Sequence, residues 1–444
     1  MLKKLLGFFA QRQEAQRGPH VVPPQSHPLE PSRISRGART VVETLQDHGF
    51  QAYVVGGCVR DMLLGLNPKD FDVATDARPE QIRKLFRRSR IVGRRFRIVH
   101  VMVGREVVEV TTFRAAQEGD DHPQVVRTEE GLLLADNAYG DIDSDAARRD
   151  FTVNALYYQP RDNTLYDYAG GLADLERREL VVIGDPETRY REDPVRMLRA
   201  VRFGAKLGFA IGPAAAAPLP ALGHLLAQVA PARLFDEFLK LFLNGHALAT
   251  FQLLREHRLF EHLFPDTAAC LAAGDDFAER FLAQAMTNTD LRVRSGKTVT
   301  PAFLLAALLW PVVERERKSL EGKGEAPALA LQKAASRALL RQLERIAIPR
   351  RFSLPMREIW ELQLRLPRRE GNRAEHLLAL PRFRAAYDFL LLREASGEDL
   401  GGLGHWWTRY QEADEAGRRA MVEALGRGPK GRRRRRPRKR KSDS

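Results

Sequence analysis

Two aspartates separated by one residue, Asp70 and Asp72, are the side chains of this 444-residue chain best placed to do chemistry. They lie in the segment Lys69-Asp70-Phe71-Asp72-Val73, whose alternating polar and apolar residues predict a β-strand. Because side chains alternate across a strand, both carboxylates would share one face. Hard cations such as Mg²⁺ prefer oxygen ligands of this kind. For the pair taken alone, a solvated strand face is the alternative.

The stretch before this pair predicts a turn that can hold an anion. An apolar run at residues 51–55 precedes Gly56 and Gly57, and a helix is expected to begin directly after them. Glycine lets the backbone approach a ligand closely, and amide groups at a helix N-terminus attract anions. Arg60, in the first turn, could reach a phosphate. An ordinary turn is the alternative, but a phosphate site near two carboxylates is what nucleotidyl transfer requires.

The chain resembles the class II nucleotidyltransferases, the family of bacterial poly(A) polymerases and CCA-adding enzymes. The head motif of that family is similar to Gly56-Gly57-Cys-Val-Arg60-Asp61 followed by Lys69-Asp70-Phe71-Asp72-Val73-Ala-Thr75, and further motifs extend the resemblance over roughly residues 40–265. The resemblance implies that Asp70 and Asp72 are catalytic and hold two Mg²⁺ ions, with ATP as substrate. It also implies nucleotide binding by Gly56, Gly57 and Arg60.

A third carboxylate is expected beside the two aspartates. Residues 98–103 and 107–113 predict two strands joined by a tight turn, and Glu109 lies on the second strand. A hairpin next to the aspartate strand would bring Glu109 to the metal site, whereas a solvated glutamate is the alternative. The resemblance favours the catalytic role, since the family carries a third acidic residue on such a strand.

Three arginines surround Phe96 just before these strands: Arg94, Arg95 and Arg97. Such a group can bind RNA phosphates and stack a base, or it can be a plain basic surface. The run resembles the stretch that distinguishes bacterial poly(A) polymerases from CCA-adding enzymes, and it therefore favours the former.

Residues 143–158 are expected to be helical and to present Arg149, Asp150 and Asn154 together. At a spacing of four residues, Asp150 and Asn154 would share one helix face. A surface ion pair is the alternative. The run resembles the second motif of the family, which implies that Arg149 and Asp150 contact the ribose and phosphates and that Asn154 contacts the sugar.

A second helix is expected to group Glu192, Asp193 and Arg196 on one face, opposite Met197, Leu198 and Val201. An ordinary salt-bridged helix is the alternative. The resemblance makes this helix the protein template of the family, in which Asp193 and Arg196 pair with the edge of the incoming base. Adenine offers a donor amine to Asp193 and ring-nitrogen acceptors to Arg196. Glu192 is expected to hold Arg196 in place.

The chain is basic, since 72 Lys and Arg residues against 57 Asp and Glu residues give a net charge of +15. This balance favours a polyanionic partner, nucleic acid before membrane. Much of the excess lies in residues 427–444, which are expected to clamp RNA without sequence preference. Docking of RNA-decay proteins is the alternative role for this tail. Its predicted RNA-binding residues are Arg432, Arg433, Arg434, Arg435 and Arg436.

Two cysteines, Cys58 and Cys270, argue against a disulfide framework and against a cysteine metal site. A reducing cytoplasm is therefore the expected location. No apolar run reaches the length of a transmembrane segment.

We therefore expect an α+β fold: a nucleotidyltransferase head with a small mixed β-sheet, followed by all-α neck and body domains and a disordered basic tail. The predicted divisions are a disordered N-terminal arm (1–37), a catalytic head (38–185), a helical neck that selects the base (186–266), a helical RNA-binding body (267–426) and the Arg/Lys-rich tail (427–444).

The expected activity is that of a poly(A) polymerase, namely template-independent transfer of AMP from ATP to RNA 3′ ends with release of pyrophosphate, promoting RNA processing and decay. A CCA-adding tRNA nucleotidyltransferase is the close alternative, because it shares every head motif. A non-catalytic RNA-binding adaptor is the alternative of another class. The intact carboxylates and Arg196 argue against it.

Overall fold

This computed structural model describes residues 18–93, 97–115, 125–127, 133–136 and 138–425. Arg94, Arg95 and Arg432–Arg436 lie outside the described residues, so their RNA-binding roles stay predictions. The chain divides into two units. The first contains the residues up to Val229 together with Gln252–His262, and the second contains Ala230–Phe251 together with the residues from Leu263 onward.

An eight-stranded mixed sheet organises the first unit, in the order β1-β10-β9-β2-β3-β6-β5-β4. The strands β3 and β6 run parallel, and the other neighbouring pairs are antiparallel. Two smaller sheets pair β7 with β8 and β11 with β12. The bounds are β1 His20–Val22, β2 Ala52–Val55, β3 Asp72–Thr75, β4 Ser89–Val92, β5 Ile98–Val103, β6 Glu106–Thr112, β7 Val125–Arg127, β8 Leu133–Asp136, β9 Leu156–Gln159, β10 Thr164–Asp167, β11 Glu179–Leu180 and β12 Ala210–Ile211.

Short helices surround this sheet. The longest of those before residue 190, α1, begins where the Ser35 side chain accepts a hydrogen bond from the Ala38 amide, and it buries Val41, Val42 and Leu45. The helices up to residue 222 are α1 Arg36–Asp47, α2 Gly57–Leu63, α3 Pro79–Leu85, α4 Ile142–Arg148, α5 Gly171–Arg177, α6 Pro186–Glu192, α7 Val195–Leu207, α8 Pro213–Ala216 and α9 Leu219–Leu222.

After residue 229 the described chain is helical and contains no strand. Its helices are α10 Pro231–Phe242, α11 Ala247–Glu256, α12 Phe260–Leu263, α13 Pro265–Ala272, α14 Asp276–Arg294, α15 Pro301–Gly322, α16 Pro327–Leu343, α17 Arg350–Arg365, α18 Arg373–Leu378, α19 Phe383–Ala395, α20 Leu403–Glu412 and α21 Glu415–Glu423. The expected α+β class, with a mixed sheet followed by helices, is confirmed. No helix of the described part of the chain is long and apolar enough to cross a membrane.

Three sequence-based expectations are corrected by the structure. Residues 18–37 are not a disordered arm, because β1 pairs with β10 and Ser35 caps α1. The aspartate strand is shorter than expected: β3 begins at Asp72, and Asp70 precedes it. The helix expected over residues 143–158 ends at Arg148, where the next residue takes an extended ψ of 167°, and residues 156–159 form β9 instead.

Candidate active site

Asp72 lies at the start of β3, directly across the parallel ladder from Glu109 on β6. Neighbouring strands are about 4.8 Å apart, so the two carboxylates extend from adjacent backbones. Asp72 is also paired across the sheet with Val55, the last residue of β2. The third carboxylate predicted from the sequence therefore lies beside Asp72.

The charges around Asp72 are unfavourable for its ionisation. The pKa of Asp72 is raised to about 6, first by burial, then by the nearby Glu109 carboxylate and, to a smaller extent, by Asp70. Arg149 and Arg199 act in the opposite direction. Carboxylates that repel one another in a desolvated position fit the ligand set of a divalent cation, because a cation would stabilise the charged forms.

The carboxylates of Asp70, Asp72 and Glu109 are not arranged around one metal position. Glu109 is half-exposed and its Oε1 lies 3.4 Å from Nε2 of His100, its partner on β5. Across the described residues, no group of three His, Cys, Asp or Glu side chains is arranged to hold a metal ion. Enclosing an ion between these strands therefore requires rotation of at least the Glu109 side chain.

A glycine turn approaches Asp72 from the neighbouring strand. Gly56 has a φ of 77°, which favours glycine, and it joins β2 to α2 as the sequence predicts. A Cβ atom at Gly56 would lie 3.4 Å from Nη1 of Arg149 and 3.9 Å from Oδ2 of Asp72. The lack of a side chain at Gly56 thus leaves space between the guanidinium of Arg149 and the carboxylate of Asp72. Gly57 follows as the first residue of α2.

Arg60 does not point into this space. The side chain is almost completely buried, and its guanidinium donates hydrogen bonds to Oδ1 of Asn154 and Oδ1 of Asp61. It also lies 5.0 Å from the ring centroid of Phe203. The expectation that Arg60 reaches a phosphate is therefore not supported, because contact with a ligand would break these buried bonds. Arg60 instead positions Asn154.

Asp150 and Asn154 are adjacent, although no continuous helix joins them. Nδ2 of Asn154 donates to Oδ1 of Asp150 at 3.0 Å. The other oxygen of Asp150 accepts from Nε of Arg199 at 2.7 Å and from Nη2 at 2.6 Å. Burial alone would raise the pKa of Asp150, but Arg199 and these hydrogen bonds hold it well below its usual range. Both side chains are therefore engaged within the protein.

Arg149 is held rigidly beside Gly56. Its Nε donates to the Tyr157 hydroxyl at 2.8 Å, and its Nη2 lies 3.1 Å from Oδ2 of Asp145. The guanidinium also stacks over the Tyr157 ring, 4.8 Å from the centroid. Because two partners fix its orientation, Arg149 presents a fixed positive charge next to Asp72.

The template residues lie where two helices meet. Glu192 ends α6, Asp193 follows as its C-terminal cap, and Arg196 lies in the first turn of α7. The continuous helix expected over these residues is therefore interrupted at Asp193, whose backbone is extended, directly before Pro194. Oε2 of Glu192 is 3.6 Å from Nη1 of Arg196, and it accepts from Nη1 of Arg189 at 2.8 Å.

Arg196 retains an unused donor. Its Nη2 donates to the Arg148 carbonyl at 3.3 Å. Its buried Nη1 has no hydrogen-bond partner among the described residues, because the contact with Glu192 is too long. A buried guanidinium with an open donor is a costly feature unless a ligand satisfies it.

Several arginines crowd this region, and sequence reasoning assigned no site role to four of them: Arg114, Arg148, Arg189 and Arg199. Burial and neighbouring arginines lower the pKa of both Arg148 and Arg189 to about 10, and burial lowers that of Arg114. Repulsion among these guanidinium groups favours the binding of a polyanion. Arg114 and Arg189 do not lie at a recognised spacing from any of the sequence motifs. Arg199 could have been found, because it lies one turn after Arg196 on the same helix.

Arg97 is the described member of the arginine group around Phe96. Its Nη2 lies 2.6 Å from Oε1 of Glu80, and both side chains are well exposed. An exposed pair of this kind is weak and exchanges readily with a phosphate. Its RNA-binding role stays a prediction.

Comparisons with known proteins cover nearly the whole chain. Three family models match: the poly A polymerase head domain over residues 52–181, the probable RNA and SrmB-binding site of polymerase A over 208–271, and the polymerase A arginine-rich C-terminus over 323–441. Poly(A) polymerase I of Salmonella typhi is 47% identical over 440 residues, which is 97% of this chain and 95% of that protein. Poly(A) polymerase I of Escherichia coli O6:H1 is 48% identical over 427 residues, which is 95% of this chain and 92% of that protein.

CCA-adding enzymes are similar over a smaller part of the sequence. The enzyme of Lactobacillus helveticus is 36% identical over 231 residues, or 52% of this chain and 55% of that protein. Among solved structures, the Bacillus stearothermophilus CCA-adding enzyme in complex with CTP superposes with a TM-score of 0.58 at 25% identity, covering 85% of this chain and 82% of that one. The sequence match to this CCA-adding enzyme thus covers about half of the chain, whereas the matches to the poly(A) polymerases I cover nearly all of it.

Proposed function

We infer that this chain, which belongs to the poly(A) polymerase family, uses the cluster around Asp72 to transfer AMP from ATP to RNA 3′ ends. The observation that carries the assignment to this cluster is the pairing of Asp72 with Glu109 beside the glycine turn. The chain is a polynucleotide adenylyltransferase, and CCA-adding enzymes are its more distant relatives.

We propose that Asp70, Asp72 and Glu109 hold two Mg²⁺ ions. When bound, such ions activate the RNA 3′-hydroxyl and stabilise the leaving pyrophosphate. Support comes from the raised pKa of Asp72, to about 6, which reflects burial and repulsion by Glu109 and Asp70. The protein supplies two neighbouring strands, β3 and β6, which place Asp72 and Glu109 side by side, with Asp70 just before β3.

The triphosphate would lie between the Gly56 turn and the arginines. Gly56 and Gly57 provide backbone without a side chain, and Arg149 provides a charge already oriented by Tyr157. Preorganised donors of this kind stabilise charge that develops in the transition state without further reorganisation. Arg148 and Arg189 add positive charge that a triphosphate would balance.

Asp193 and Arg196 would select adenine. The open Nη1 of Arg196 can donate to a ring nitrogen, and Asp193 can accept from the exocyclic amine. Glu192 orients Arg196 and is itself held by Arg189. Asp150 and Asn154 would support the site without contacting the nucleotide, because their side chains are already bonded to Arg199 and Arg60.

In the proposed reaction the RNA 3′-oxygen attacks the α-phosphorus of ATP. A bond forms between these two atoms as the bond from the α-phosphorus to the bridging oxygen breaks. Pyrophosphate leaves, and the hydroxyl proton is released to solvent. No side chain forms a covalent intermediate.

A cytoplasmic location and contacts of the tail with RNA-decay proteins are further proposals. The first is supported by two free, buried thiols, Cys58 and Cys270, as found in proteins of a reducing compartment. The second rests on the basic sequence of residues 427–444 alone.

The function is tested by supplying the purified protein with Mg²⁺, labelled RNA and each nucleoside triphosphate separately, then all four together. One RNA should be unstructured and the other a tRNA without its 3′ end. We expect long ladders with ATP alone on both RNAs. Addition that stops at three nucleotides, needs CTP and occurs only on the tRNA would identify a CCA-adding enzyme. No addition to either RNA would contradict both assignments.

A further inference from the structure

A basic cleft in the second unit lies outside the site described above. It encloses about 280 Å³ and is lined by Arg365, Arg368, Arg373, His376 and Leu377. Arg365 is the last residue of α17 and Arg373 the first of α18. The cleft is therefore formed by a helix end, the following turn and the start of the next helix.

Two of these arginines are not neutralised. Nη1 of Arg373 pairs with Oε2 of Glu370 at 3.2 Å, and Nδ1 of His376 is bonded to the Asn372 carbonyl at 2.6 Å. In the part of the chain that the structure describes, neither Arg365 nor Arg368 has an ion-pair partner. Both are exposed. Two guanidinium forks are thus available to an anion at this position.

The chemistry of the lining favours a phosphate group on a polymer. Small-molecule sites are mostly apolar and bury most of their ligand, whereas Leu377 is the single apolar residue among the five that line this cleft. Guanidinium groups bind phosphate oxygens in a bidentate manner. A backbone that crosses the cleft and stays partly hydrated fits this surface better than an enclosed metabolite.

An aromatic column adjoins the cleft. The guanidinium of Arg369 lies 4.9 Å from the Trp406 ring centroid, and Trp406 stacks on Tyr410 at 4.8 Å with an interplanar angle of 14°. The Tyr410 hydroxyl donates to Oε2 of Glu375 at 3.0 Å, which ties the column to α18. Nε of Arg369 is buried without a hydrogen-bond partner among the described residues. Unstacked RNA bases commonly stack on arginine guanidinium planes.

We propose that the cleft of Arg365 and Arg368 binds the phosphodiester backbone of single-stranded RNA, with one base stacked on Arg369. This inference rests on the proposed function, since RNA is the polymer that the enzyme extends. An acidic polypeptide would also satisfy the two arginines but would supply no nucleobase to stack on Arg369.

The test measures binding of a fluorescent oligoadenylate to the full-length protein over a range of salt concentrations. The double variant Arg365→Gln/Arg368→Gln should weaken binding and reduce the magnitude of the salt slope by about 1.4, since each phosphate that is no longer neutralised lowers it by about 0.7. The matched control is Arg384→Gln/Arg419→Gln, which removes two exposed arginines paired with Asp388 and Glu415 in the same unit. It should leave the slope unchanged.

A second variant separates stacking from charge. Arg369→Lys keeps the charge but loses the guanidinium plane, so it should weaken binding about 5- to 150-fold, the range expected for one stacked base, at an unchanged salt slope. Thermal melts of all variants should match the parent.

Three results would overturn the proposal: a salt slope for the Arg365/Arg368 variant equal to that of the control, an unaffected Arg369→Lys variant, or displacement of RNA by polyglutamate as effective as by unlabelled RNA. Measuring kcat at saturating RNA separates this proposal from the enzymatic one. If the parent adds no AMP, the proposed function fails whatever the binding result, whereas an active parent with unaffected variants rejects the cleft alone.

Discussion

Asp72 and Glu109 are direct partners across the parallel strands β3 and β6, so their side chains extend from adjacent backbone positions. Glu109 is half-exposed and lies 3.4 Å from His100, while Asp72 is partly buried. To share a cation with Asp72, the Glu109 side chain would have to leave His100 and rotate towards β3. The metal proposal depends on this relationship.

Replacing Asp72 with Asn should reduce AMP transfer by more than about 10²-fold, because the variant loses a negatively charged oxygen ligand at the desolvated centre of the site. The fold should be retained, since Asn has nearly the same volume. Primer extension measures the loss, and circular dichroism checks the fold. The control is Asp47→Asn, which alters an exposed carboxylate paired with Arg161. Near-normal transfer by Asp72→Asn would reject Asp72 as a catalytic ligand.

Binding of Mg²⁺ should stabilise the protein more at about pH 8 than at about pH 5, because the metal relieves the cost of burying the Asp72 charge. The folded-state pKa of Asp72, about 6, lies above the ordinary value of 3.8. The stabilising contribution of the protonated form is therefore fully present below 3.8 and is lost as the pH rises through about 6. Thermal melts with and without Mg²⁺ measure this difference, and Asp72→Asn should abolish its pH dependence. An equal Mg²⁺ effect in the variant would show that the ion binds elsewhere.

Breaking the Asp150–Arg199 pair should destabilise the first unit. The pair joins the segment after α4 to α7, with Asp150 nearly buried and Arg199 about one-third exposed. Arg199→Gln should therefore cost roughly 2–3 kcal/mol of unfolding free energy, less than the 3–5 kcal/mol expected for a fully buried pair. Urea denaturation measures the loss. Arg161→Gln, which removes an exposed partner of Asp47, is the control and should cost below about 1 kcal/mol. Equal losses in both variants would mean that the Asp150 pair is not structurally important.

Substitution of Arg196 should relax the choice of nucleotide more than it slows the reaction with ATP. Removing one bidentate base contact costs about 1–3 kcal/mol, so Arg196→Lys should lower the ATP preference over CTP, measured as a ratio of kcat/KM values, by roughly 5- to 150-fold. Arg191→Lys is a suitable control, because Arg191 is exposed and pairs with Glu187 on the preceding helix. An unaltered preference would remove Arg196 from base recognition.

Deleting residues 427–444 should weaken RNA binding and flatten its salt dependence. The segment contains the run Arg432–Arg436 and further basic residues. Every RNA phosphate that the tail no longer neutralises should reduce the salt slope by about 0.7 for single-stranded RNA. Binding measured over a salt series tests this, and a truncated protein with the parental slope would exclude the tail as a clamp.

Local patterns in the sequence were sufficient to predict the elements that carry the site. The glycine turn at Gly56, the strand at Asp72 and the position of Glu109 follow from alternation and turn chemistry within short segments. The helix expected beyond Arg148 was wrong because Asp150 accepts a hydrogen bond from the following Phe151 amide, and such local side-chain bonds compete with helix formation.

Long-range pairing explains the remaining differences. Arg60 is bonded to Asn154, 94 positions away, and Asp150 is bonded to Arg199 across 49 positions. No spacing rule predicts such partners. The sequence motif assigns these residues to one site, but only the folded structure distinguishes the groups left open, such as Nη1 of Arg196, from those already occupied.

The most direct test of the enzymatic account uses ATP labelled at the α-phosphate, with pyrophosphate release measured in the same reaction on unstructured RNA. We predict that the label enters the RNA, that one pyrophosphate is released for each AMP added, and that both signals disappear together in Asp72→Asn. Release of inorganic phosphate without incorporation of the label, or incorporation that survives in Asp72→Asn, would contradict the account.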